Sequence, residues 1–228
     1  MIYIIVTAAG SGSRFGSTIP KQFCKLEGVP VLCRTLDGLH HALPEAQLVL
    51  TLSAAAMDMW EEIRPLCEAK PIVVEGGDTR FASVGNAVRA IKTMAEATDI
   101  IMVHDGARPL VSDELCRRVA EESARFGSAI PVCEISDSLR AVDSSDSSHI
   151  VDRSKMRAVQ TPQGFRADIL TSAYSVDYNP SFTDDASVVE STGHTVHLCR
   201  GEYTNIKLTR ASDMFVAEAL LRSLNAEP

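Results

Sequence analysis

The chain has 228 residues, of which 45% are hydrophobic, and its formal net charge is −8 at neutral pH. This length and apolar content are sufficient for one large core, and we expect a single domain over 1–228. A strongly acidic chain is poorly suited to nucleic acid or to an anionic membrane surface, so neither is expected as a partner. An anionic substrate would therefore have to be held by a local group of cations.

The six cysteines contain no C-x-x-C pair. This usage is typical of reduced thiols in a cytoplasmic protein and argues against a zinc site or a disulfide framework. The N-terminus has no basic segment, and its apolar run is too short for a signal peptide or a membrane span. We therefore expect a cytoplasmic protein.

Apolar runs of strand length alternate along the chain with segments of helical periodicity. Strands are predicted at 2–6, 47–52, 71–74, 100–103 and 129–133. Helices are predicted at 31–41, 54–67, 81–94, 113–126, 166–174, 185–191 and 211–224. This alternation predicts an α/β fold with a mostly parallel sheet and helices on both faces.

A glycine-rich loop at 7–16 follows the first predicted strand, and a Pro-Lys-Gln run at 20–22 closes it. Gly10 and Gly12 permit positive φ, so backbone N–H groups can face an anion. Arg14 adds a bidentate phosphate ligand and Lys21 a mobile positive charge. The spacing fits neither a P-loop nor the dinucleotide fingerprint. A polyphosphate site is predicted, with a simple solvated turn as the alternative.

A second loop, 75–83, exposes backbone donors and acceptors at Gly76 and Gly77 and adds the Ser83 hydroxyl. Such polar edges suit a nucleobase. The alternative interpretation is an ordinary turn in which Asp78 caps the following helix.

The third loop places Asp105 at the end of an apolar strand. A carboxylate beside a polyphosphate is a typical Mg²⁺ ligand, so we predict that Asp105 binds the metal. An ion pair between Asp105 and Arg108 is the alternative, and His104 is interpreted as a core residue. Later in the chain, 203–209 is strand-like, and Lys207 alternates with Ile206 and Leu208. If those two are core residues, Lys207 faces the loops; a surface lysine on an edge strand is the other interpretation.

The segment 137–157 breaks the alternation of strands and helices. It is polar, with a Ser- and Asp-rich centre, and this pattern predicts a β-hairpin with its turn at 143–148. A lone hairpin buries too little apolar surface to be stable by itself. This hairpin, which we call the arm, is therefore expected to lie on the body or to pair with another chain.

Eight motifs occur along the chain in a characteristic order. They are Ala8-Ala9-Gly-x-Gly-x-Arg14, Pro20-Lys21-Gln22, Gly76-Gly77-Asp78-x-Arg80-x-x-Ser83-Val84, His104-Asp105-x-Ala107-Arg108-Pro109, Val151-Asp152-Arg153, Thr161-Pro162-Gln163, Thr183-Asp184-Asp185-Ala186-Ser187 and Asn205-Ile206-Lys207-x-Thr209. Over nearly the whole chain, this set closely resembles the 2-C-methyl-D-erythritol 4-phosphate cytidylyltransferases of the non-mevalonate isoprenoid pathway. The resemblance implies a Rossmann-like nucleotidyltransferase fold, CTP and a small polyol phosphate as substrates, and a homodimer formed through a protruding β-arm.

The resemblance also implies roles for individual residues. Catalysis would rest on Arg14, Lys21 and Lys207, with Asp105 binding both CTP and Mg²⁺. The other CTP contacts would come from Ala8, Ala9, Gly10, Gly12, Gly76, Gly77, Asp78 and Ser83. The substrate contacts would come from Asp137, Ser138, Arg153, Thr161 and Thr183, with Arg153 reaching in from the other subunit's arm.

Two positions depart from the family pattern. Ser138 stands where a threonine is usual, and Gly106 replaces a common alanine. These departures concern the acceptor pocket more than the CTP half. Ribitol-5-phosphate cytidylyltransferases share most of the CTP motifs, but the Thr183-Asp184 and arm motifs favour methylerythritol phosphate. A non-catalytic nucleotide-binding protein on the same fold is the alternative from another class, and the cations and strand-end carboxylate argue against it.

Overall fold

The structure is a computed structural model that describes residues 1–10 and 19–226. Its strands are β1 (Ile2–Thr7), β2 (Lys25–Leu26), β3 (Val29–Pro30), β4 (Gln47–Leu52), β5 (Ile72–Glu75), β6 (Ile100–Asp105), β7 (Ser128–Glu134), β8 (Leu139–Ser144), β9 (Ser147–Val151), β10 (Arg157–Val159), β11 (Gln163–Arg166) and β12 (Leu198–Arg200). Its helices are α1 (Val31–Ala42), α2 (Met57–Ile63), α3 (Arg80–Ile91), α4 (Asp113–Phe126), α5 (Ala167–Ala173), α6 (Asp185–Ser191) and α7 (Ser212–Ala226). Within these ranges, none of the helices has both the length and the apolar character needed to cross a membrane.

One mixed sheet forms the body of the protein. Its strand order is β10-β7-β11-β6-β1-β4-β5, and β12 also pairs with β7. β1 pairs in parallel with β4 and β6, and β4 pairs in parallel with β5. β11 runs antiparallel between β6 and β7. The sheet is mostly parallel, which confirms the predicted fold class.

The core lies on both faces of this sheet because successive side chains of a strand point to opposite faces. Ile4 and Val6 of β1 pack in one buried cluster with residues of α1, α2 and α4. Tyr3 and Ile5 pack in a second cluster with residues of α3, α5 and α6. The continuous apolar sequence of β1 is thus explained by its burial on both sides.

The parallel registers bring several strand ends to one edge. Thr7 lies beside both Thr51 and Asp105, and Leu52 lies beside Glu75. The carboxyl ends of β1, β4, β5 and β6 therefore meet, and ligands bind at this edge in open α/β sheets.

Two local predictions differ from the structure, and one central strand was missed. The helix predicted at 54–67 is divided, since α2 is flanked by 3₁₀ turns at 54–56 and 64–66, the latter containing Pro65. Proline lacks a backbone N–H and disrupts a continuing helix. The strand predicted at 203–209 is wrong, because that stretch forms no regular strand. The central strand β11 was not predicted.

The predicted arm is present as the hairpin of β8 and β9, which pair only with each other among the described strands. Its turn is tighter than predicted, because β8 continues to Ser144 and β9 begins at Ser147. Val142 and Ile150 are 74% and 77% exposed on this hairpin. The arm therefore projects from the body with apolar side chains uncovered.

The expectation that all six cysteines are reduced thiols is wrong for two of them. Cys33 of α1 and Cys67 form a disulfide across a sequence separation of 34 residues. Their Cα atoms lie 5.1 Å apart, a separation suited to such a bond. Motif spacing could not reveal this pair, because the packing of α1 against the segment after α2 brings the two residues together. Cys24, Cys116, Cys133 and Cys199 are free thiols.

Candidate active site

A cavity of about 330 Å³ opens at the carboxyl edge of the parallel strands, a size typical of small-ligand sites. It is lined by residues from all three predicted loops and from the segment around Lys207. The sequence-predicted residues that line it are Ala8, Ala9, Gly10, Lys21, Gly77, Asp78, Ser83, Asp105 and Lys207. The structure thus brings most of the predicted nucleotide-binding set to one place.

Three cationic side chains lie around the carboxylate of Asp105 at the end of β6. Lys207 Nζ lies 2.9 Å from Asp105 Oδ2, and Arg108 Nε donates to the same oxygen at 3.1 Å. Arg80 Nε lies 3.9 Å from Oδ1. Burial alone would raise the pKa of Asp105, but the charges of Lys207, Arg80 and Arg108 outweigh it and hold the pKa well below its usual range. The carboxylate therefore stays ionised at neutral pH.

Lys207 reaches Asp105 without belonging to a strand. Ile206 and Leu208 on either side pack into a cluster with α7, and the Leu208 N–H donates to the Ala107 carbonyl oxygen at 2.9 Å. Lys207 is directed the other way and is 38% exposed in its side chain. The alternation in the sequence therefore indicated its direction correctly, although the predicted strand is absent.

His104 and Thr161 support Asp105 from within the sheet. His104 Nε2 lies 3.2 Å from the Arg108 carbonyl oxygen, so the proton is assigned to Nε2, which donates to it. Nδ1 then accepts from the Thr161 hydroxyl at 3.2 Å, and Thr161 Oγ1 accepts from the Asp105 N–H at 3.0 Å. Burial lowers the pKa of His104 to about 4, so the ring is neutral. This arrangement favours the interpretation of His104 as a core residue.

The structure places Thr161 differently from its expected substrate role. The side chain is buried, and its hydroxyl is engaged with both His104 and Asp105. Thr161 also does not line the main cavity. Its position is that of a support behind the strand-end carboxylate.

Gln22 anchors the part of the glycine-rich loop that the structure describes. Its Nε2 donates to the carbonyl oxygens of Ala8 at 2.9 Å and of Gly10 at 3.2 Å, and its side chain is buried. Gly10 does not adopt a positive φ, and an added Cβ there would meet no atom of the described residues within 4 Å. The predicted residues Gly12 and Arg14 lie outside the described residues. Gln22 had no predicted role, although its place beside Lys21 in the closing motif was the available signal.

The glycines of the second loop are required by close packing. A Cβ added at Gly76 would lie 2.6 Å from Ala9 Cβ, and one added at Gly77 would lie 2.5 Å from Ala82 Cβ. Both distances are too short for any side chain. The two loops can therefore meet only while position 76 is glycine, and the turn at 77 can pack against the start of α3 only without a side chain.

Thr79, rather than Asp78, caps the helix that follows this loop. Thr79 Oγ1 accepts from the Ala82 N–H at 3.0 Å, while Asp78 is exposed. The Ser83 hydroxyl accepts from the Gly77 N–H at 3.1 Å and lies 2.9 Å from the Thr79 carbonyl oxygen. Ser83 therefore holds the turn in shape, and Asp78 remains available to a ligand.

Arg80 has a prominent position that the sequence interpretation did not assign. Its Nη1 and Nη2 donate to the two carboxylate oxygens of Asp185 at 3.0 and 2.6 Å. The Tyr174 hydroxyl donates to Asp185 Oδ1 at 2.6 Å. Asp185 is fully buried, and Arg80 lines the cavity. The available signal was the presence of Arg80 and Asp185 in two of the ordered motifs.

The predicted acceptor residues lie outside the main cavity. Arg153 lines a second cavity of about 500 Å³ at the base of the arm, where it donates to the Ser136 carbonyl oxygen. Asp137 and Ser138 are exposed between β7 and β8, and Thr183 is exposed just before α6. Within one chain, these four residues are thus not gathered around Asp105.

The chain matches the family of 2-C-methyl-D-erythritol 4-phosphate cytidylyltransferases over residues 2–223. It is 40% identical over 222 residues to the protein of that name from Bacteroides fragilis, with 95% of this chain and 98% of the relative covered. The crystal structure of the Thermus thermophilus cytidylyltransferase of the same name is 32% identical, with a TM-score of 0.73 and coverage of 96% of this chain and 98% of that chain. The 4-diphosphocytidyl-2C-methyl-D-erythritol synthase of Anaerococcus prevotii is 26% identical with a TM-score of 0.81, covering 97% of this chain and 96% of that chain. With the cavity, the strand-end carboxylate and the arm in the places that the motifs predict, these matches show that the chain belongs to the 2-C-methyl-D-erythritol 4-phosphate cytidylyltransferase family.

Proposed function

We propose that the protein transfers a cytidylyl group from CTP to 2-C-methyl-D-erythritol 4-phosphate in the non-mevalonate isoprenoid pathway. An oxygen of the acceptor phosphate forms a bond to the α-phosphorus of CTP, and the bond from that phosphorus to the β-phosphate oxygen breaks. The products are 4-diphosphocytidyl-2-C-methyl-D-erythritol and pyrophosphate. The observation that carries this proposal is the convergence of Asp105, Lys207 and both glycine loops on one cavity. We place the reaction in the cytoplasm, the compartment that supplies CTP.

Positioned positive charge is the main contribution that this chain's side chains make to such a reaction. Lys207 and Lys21 line the same cavity, although the chain as a whole is acidic. Fixed cations near the transferred phosphoryl group stabilise the charge that develops in the transition state. We assign Lys21 and Lys207 to the phosphates, and Arg14 to the same task from the glycine-rich loop.

Asp105 is suited to hold a Mg²⁺ ion beside the triphosphate. Lys207 and Arg108 both address Oδ2, and no described residue donates a hydrogen bond to Oδ1. The described residues include no cluster of three or more His, Cys, Asp or Glu side chains that could hold a metal. The site therefore fits an ion that takes one carboxylate and completes its shell with phosphate oxygens and water, as Mg²⁺ does. Bound Mg²⁺ would neutralise phosphate charge.

The turn at 76–79 is the proposed site of the cytosine and ribose. Gly77 lines the cavity, and neither Gly76 nor Gly77 carries a side chain that would cover the backbone of the turn. Asp78 and the Ser83 hydroxyl add polar groups at the cavity wall. Backbone and side-chain edges of this kind can distinguish one base from another by hydrogen bonding.

The acceptor half is proposed to be completed by a second subunit. Arg153 sits at the base of the arm, outside the cavity that contains Asp105. Val142 and Ile150 leave an apolar surface on the arm that a second copy would cover. In a two-fold dimer, each arm can deliver its Arg153 to the partner's site, where the guanidinium fork suits a phosphomonoester. Thr183, Asp137 and Ser138 are assigned to the same substrate.

Pyrophosphate release tests the proposed reaction. CTP, UTP and ATP are each combined with methylerythritol phosphate, ribitol 5-phosphate or no acceptor, with and without Mg²⁺. We expect Mg²⁺-dependent release with CTP and methylerythritol phosphate. Preference for ribitol 5-phosphate would replace the proposed acceptor, and the absence of release from every pair would overturn the assignment of an enzyme.

Mixing two inactive variants tests the contribution of the arm. Arg153→Ala and Lys21→Ala each damage a different residue of the proposed shared site. In a mixed dimer, one site has both residues intact and the other lacks both, so random exchange should restore roughly a quarter of wild-type activity. If labelled subunits demonstrably exchange and no activity returns, Arg153 does not act across the interface.

A further inference from the structure

Arg80 lies between the carboxylates of Asp185 and Asp105 and is hydrogen-bonded only to that of Asp185 among the described residues. Its terminal nitrogens form a two-point hydrogen bond with Asp185 at 3.0 and 2.6 Å. Its Nε lies 3.9 Å from Asp105 Oδ1, which is too far for a hydrogen bond. The two terminal nitrogens are thus held by Asp185, and Nε is hydrogen-bonded to neither carboxylate.

Tyr174 reinforces the group that holds Arg80. Its hydroxyl donates to Asp185 Oδ1 at 2.6 Å, and Asp185 is fully buried at the start of α6. A buried carboxylate is tolerated only where its charge is paired and its oxygens are hydrogen-bonded, and both conditions are met here. We call Arg80, Tyr174 and Asp185 the clamp.

The two oxygens of Asp105 are left in different states by this arrangement. Oδ2 contacts Lys207 at 2.9 Å and Arg108 at 3.1 Å. Oδ1 faces Arg80 across the 3.9 Å gap and receives no hydrogen bond from the described residues. Among the described residues none hydrogen-bonds to Oδ1, so this is the oxygen that they leave open to another cation.

We infer that Asp185 and Tyr174 are positioning residues that hold Arg80 away from Asp105 and so keep Oδ1 available to a divalent metal ion. The inference rests on the metal role of Asp105 proposed above. It adds that Arg80 is a potential competitor for that oxygen, restrained by a buried carboxylate that touches neither substrate nor metal.

The charges explain why the restraint is needed. Without the Asp185 carboxylate, Asp105 would be the nearest anion to the Arg80 guanidinium. The Arg80 side chain is 30% exposed, and the 3.9 Å separation would shorten to a hydrogen-bonded ion pair. All three cations would then hydrogen-bond to Asp105 directly, and a metal ion would have to displace one of them. In the native clamp, Asp185 offsets the charge of Arg80 and fixes its direction.

Metal binding, measured separately from turnover, tests the inference. Free Mn²⁺ is followed by electron paramagnetic resonance in the presence of a CTP analogue whose α–β bridging oxygen is replaced by methylene. The variants are Asp185→Asn, Tyr174→Phe and the double variant Arg80→Met/Asp185→Asn. Asp184→Asn, which removes the carboxylate of the preceding residue but no contact to Arg80, is the matched control. Circular dichroism establishes that each variant is folded.

The change in Mn²⁺ affinity from Asp185→Asn to the double variant distinguishes positioning from simple structural damage. Asp185→Asn should weaken Mn²⁺ binding by about tenfold or more, because the released guanidinium competes with the ion. Adding Arg80→Met should restore most of that loss, since the competitor is gone. Damage to the fold would instead leave the double variant as weak as the single variant or weaker. Tyr174→Phe, which leaves the carboxylate in place, should weaken binding by about twofold to threefold.

Each result bears on one of the two proposals. If the wild-type protein binds no Mn²⁺ with the analogue, the metal role of Asp105 fails and the clamp inference falls with it. If the wild type binds Mn²⁺ but Asp185→Asn binds equally well, the metal role stands and the clamp inference is wrong. A double variant that is no better than Asp185→Asn also overturns it. If Asp185→Asn does not fold, Tyr174→Phe is compared with Arg80→Met/Tyr174→Phe instead. Tighter Mn²⁺ binding by the double variant than by Tyr174→Phe supports the clamp inference, and equal or weaker binding overturns it.

Discussion

Replacing Thr161 by valine should destabilise the protein without changing how it binds its acceptor. The hydroxyl accepts from the Asp105 N–H at 3.0 Å and donates to His104 Nδ1, 3.2 Å away. Valine keeps the volume and removes both hydrogen bonds. The N–H and the ring nitrogen are buried with Thr161, so each loses its partner without gaining water.

The expected magnitude follows from these two orphaned groups. Each unsatisfied buried group costs about 1–2 kcal/mol, so the free energy of unfolding should fall by about 2–4 kcal/mol. For a domain of this size, that corresponds to a decrease in Tm of about 5–15 °C. Urea unfolding followed by circular dichroism measures the free energy, and a thermal scan measures Tm.

A matched variant and a kinetic measurement separate support from substrate binding. Thr161→Ser retains the hydroxyl and should recover most of the lost stability. Steady-state kinetics of Thr161→Val below its Tm should show an acceptor KM close to that of wild type. A raised acceptor KM with unchanged stability would refute the structural reasoning and restore the substrate contact that the resemblance implies.

Lys207→Met removes the 2.9 Å partner of Asp105 and should raise the pKa of that carboxyl towards its usual value. Because the folded-state pKa is depressed, the stabilisation is present above the usual aspartate pKa of about 4 and is lost as the pH falls below it. The difference in urea midpoint between wild type and Lys207→Met should therefore shrink from pH 7 towards pH 3; a constant difference would contradict this. Gln22→Ala removes two hydrogen bonds to the glycine-rich loop and should raise the KM for CTP by about tenfold, with the acceptor KM as the internal control. The disulfide from Cys33 to Cys67 closes a loop of 34 residues. Cys33→Ser should therefore lower the free energy of unfolding by about 4 kcal/mol under oxidising conditions and by little in excess dithiothreitol. Equal unfolding curves for oxidised wild type and variant would argue against the bond.

Most of the strands that the sequence predicted have side chains buried on both faces, and the largely exposed β5 is the exception. β1 and β4 are continuous apolar runs, and such runs are readable without any partner. β11 is equally central but contains only one apolar residue, Phe165. Its Gly164 lies where an added Cβ would meet the Val119 side chain of α4 at 2.8 Å. Glycine is required at position 164 because α4, a distant part of the chain, packs against it. The local sequence pattern therefore could not predict the strand.

The candidate site shows the same division between local and distant causes. The position of Asp105 followed from the apolar strand that precedes it, and the direction of Lys207 followed from its alternation with Ile206 and Leu208. The clamp could not be predicted in this way, because Arg80 and Asp185 are separated by 105 positions. Only the folded structure shows that Asp185 is hydrogen-bonded to Arg80.

The central place of β11 also governs the order in which the molecule can be completed. β11 separates β6 from β7, yet it is made after the arm, and Lys207 follows later still. During synthesis, the first 134 residues can pair β6, β1, β4 and β5, but β7 has no strand through which to join them. Contacts of such high sequence separation close slowly. We therefore expect a nascent chain to have an unpaired edge at β6 until the arm and β11 have been synthesised. The Asp105–Lys207 ion pair can form only near the end of translation. An unpaired strand edge is prone to wrong pairing, so misfolding should compete with folding at this edge.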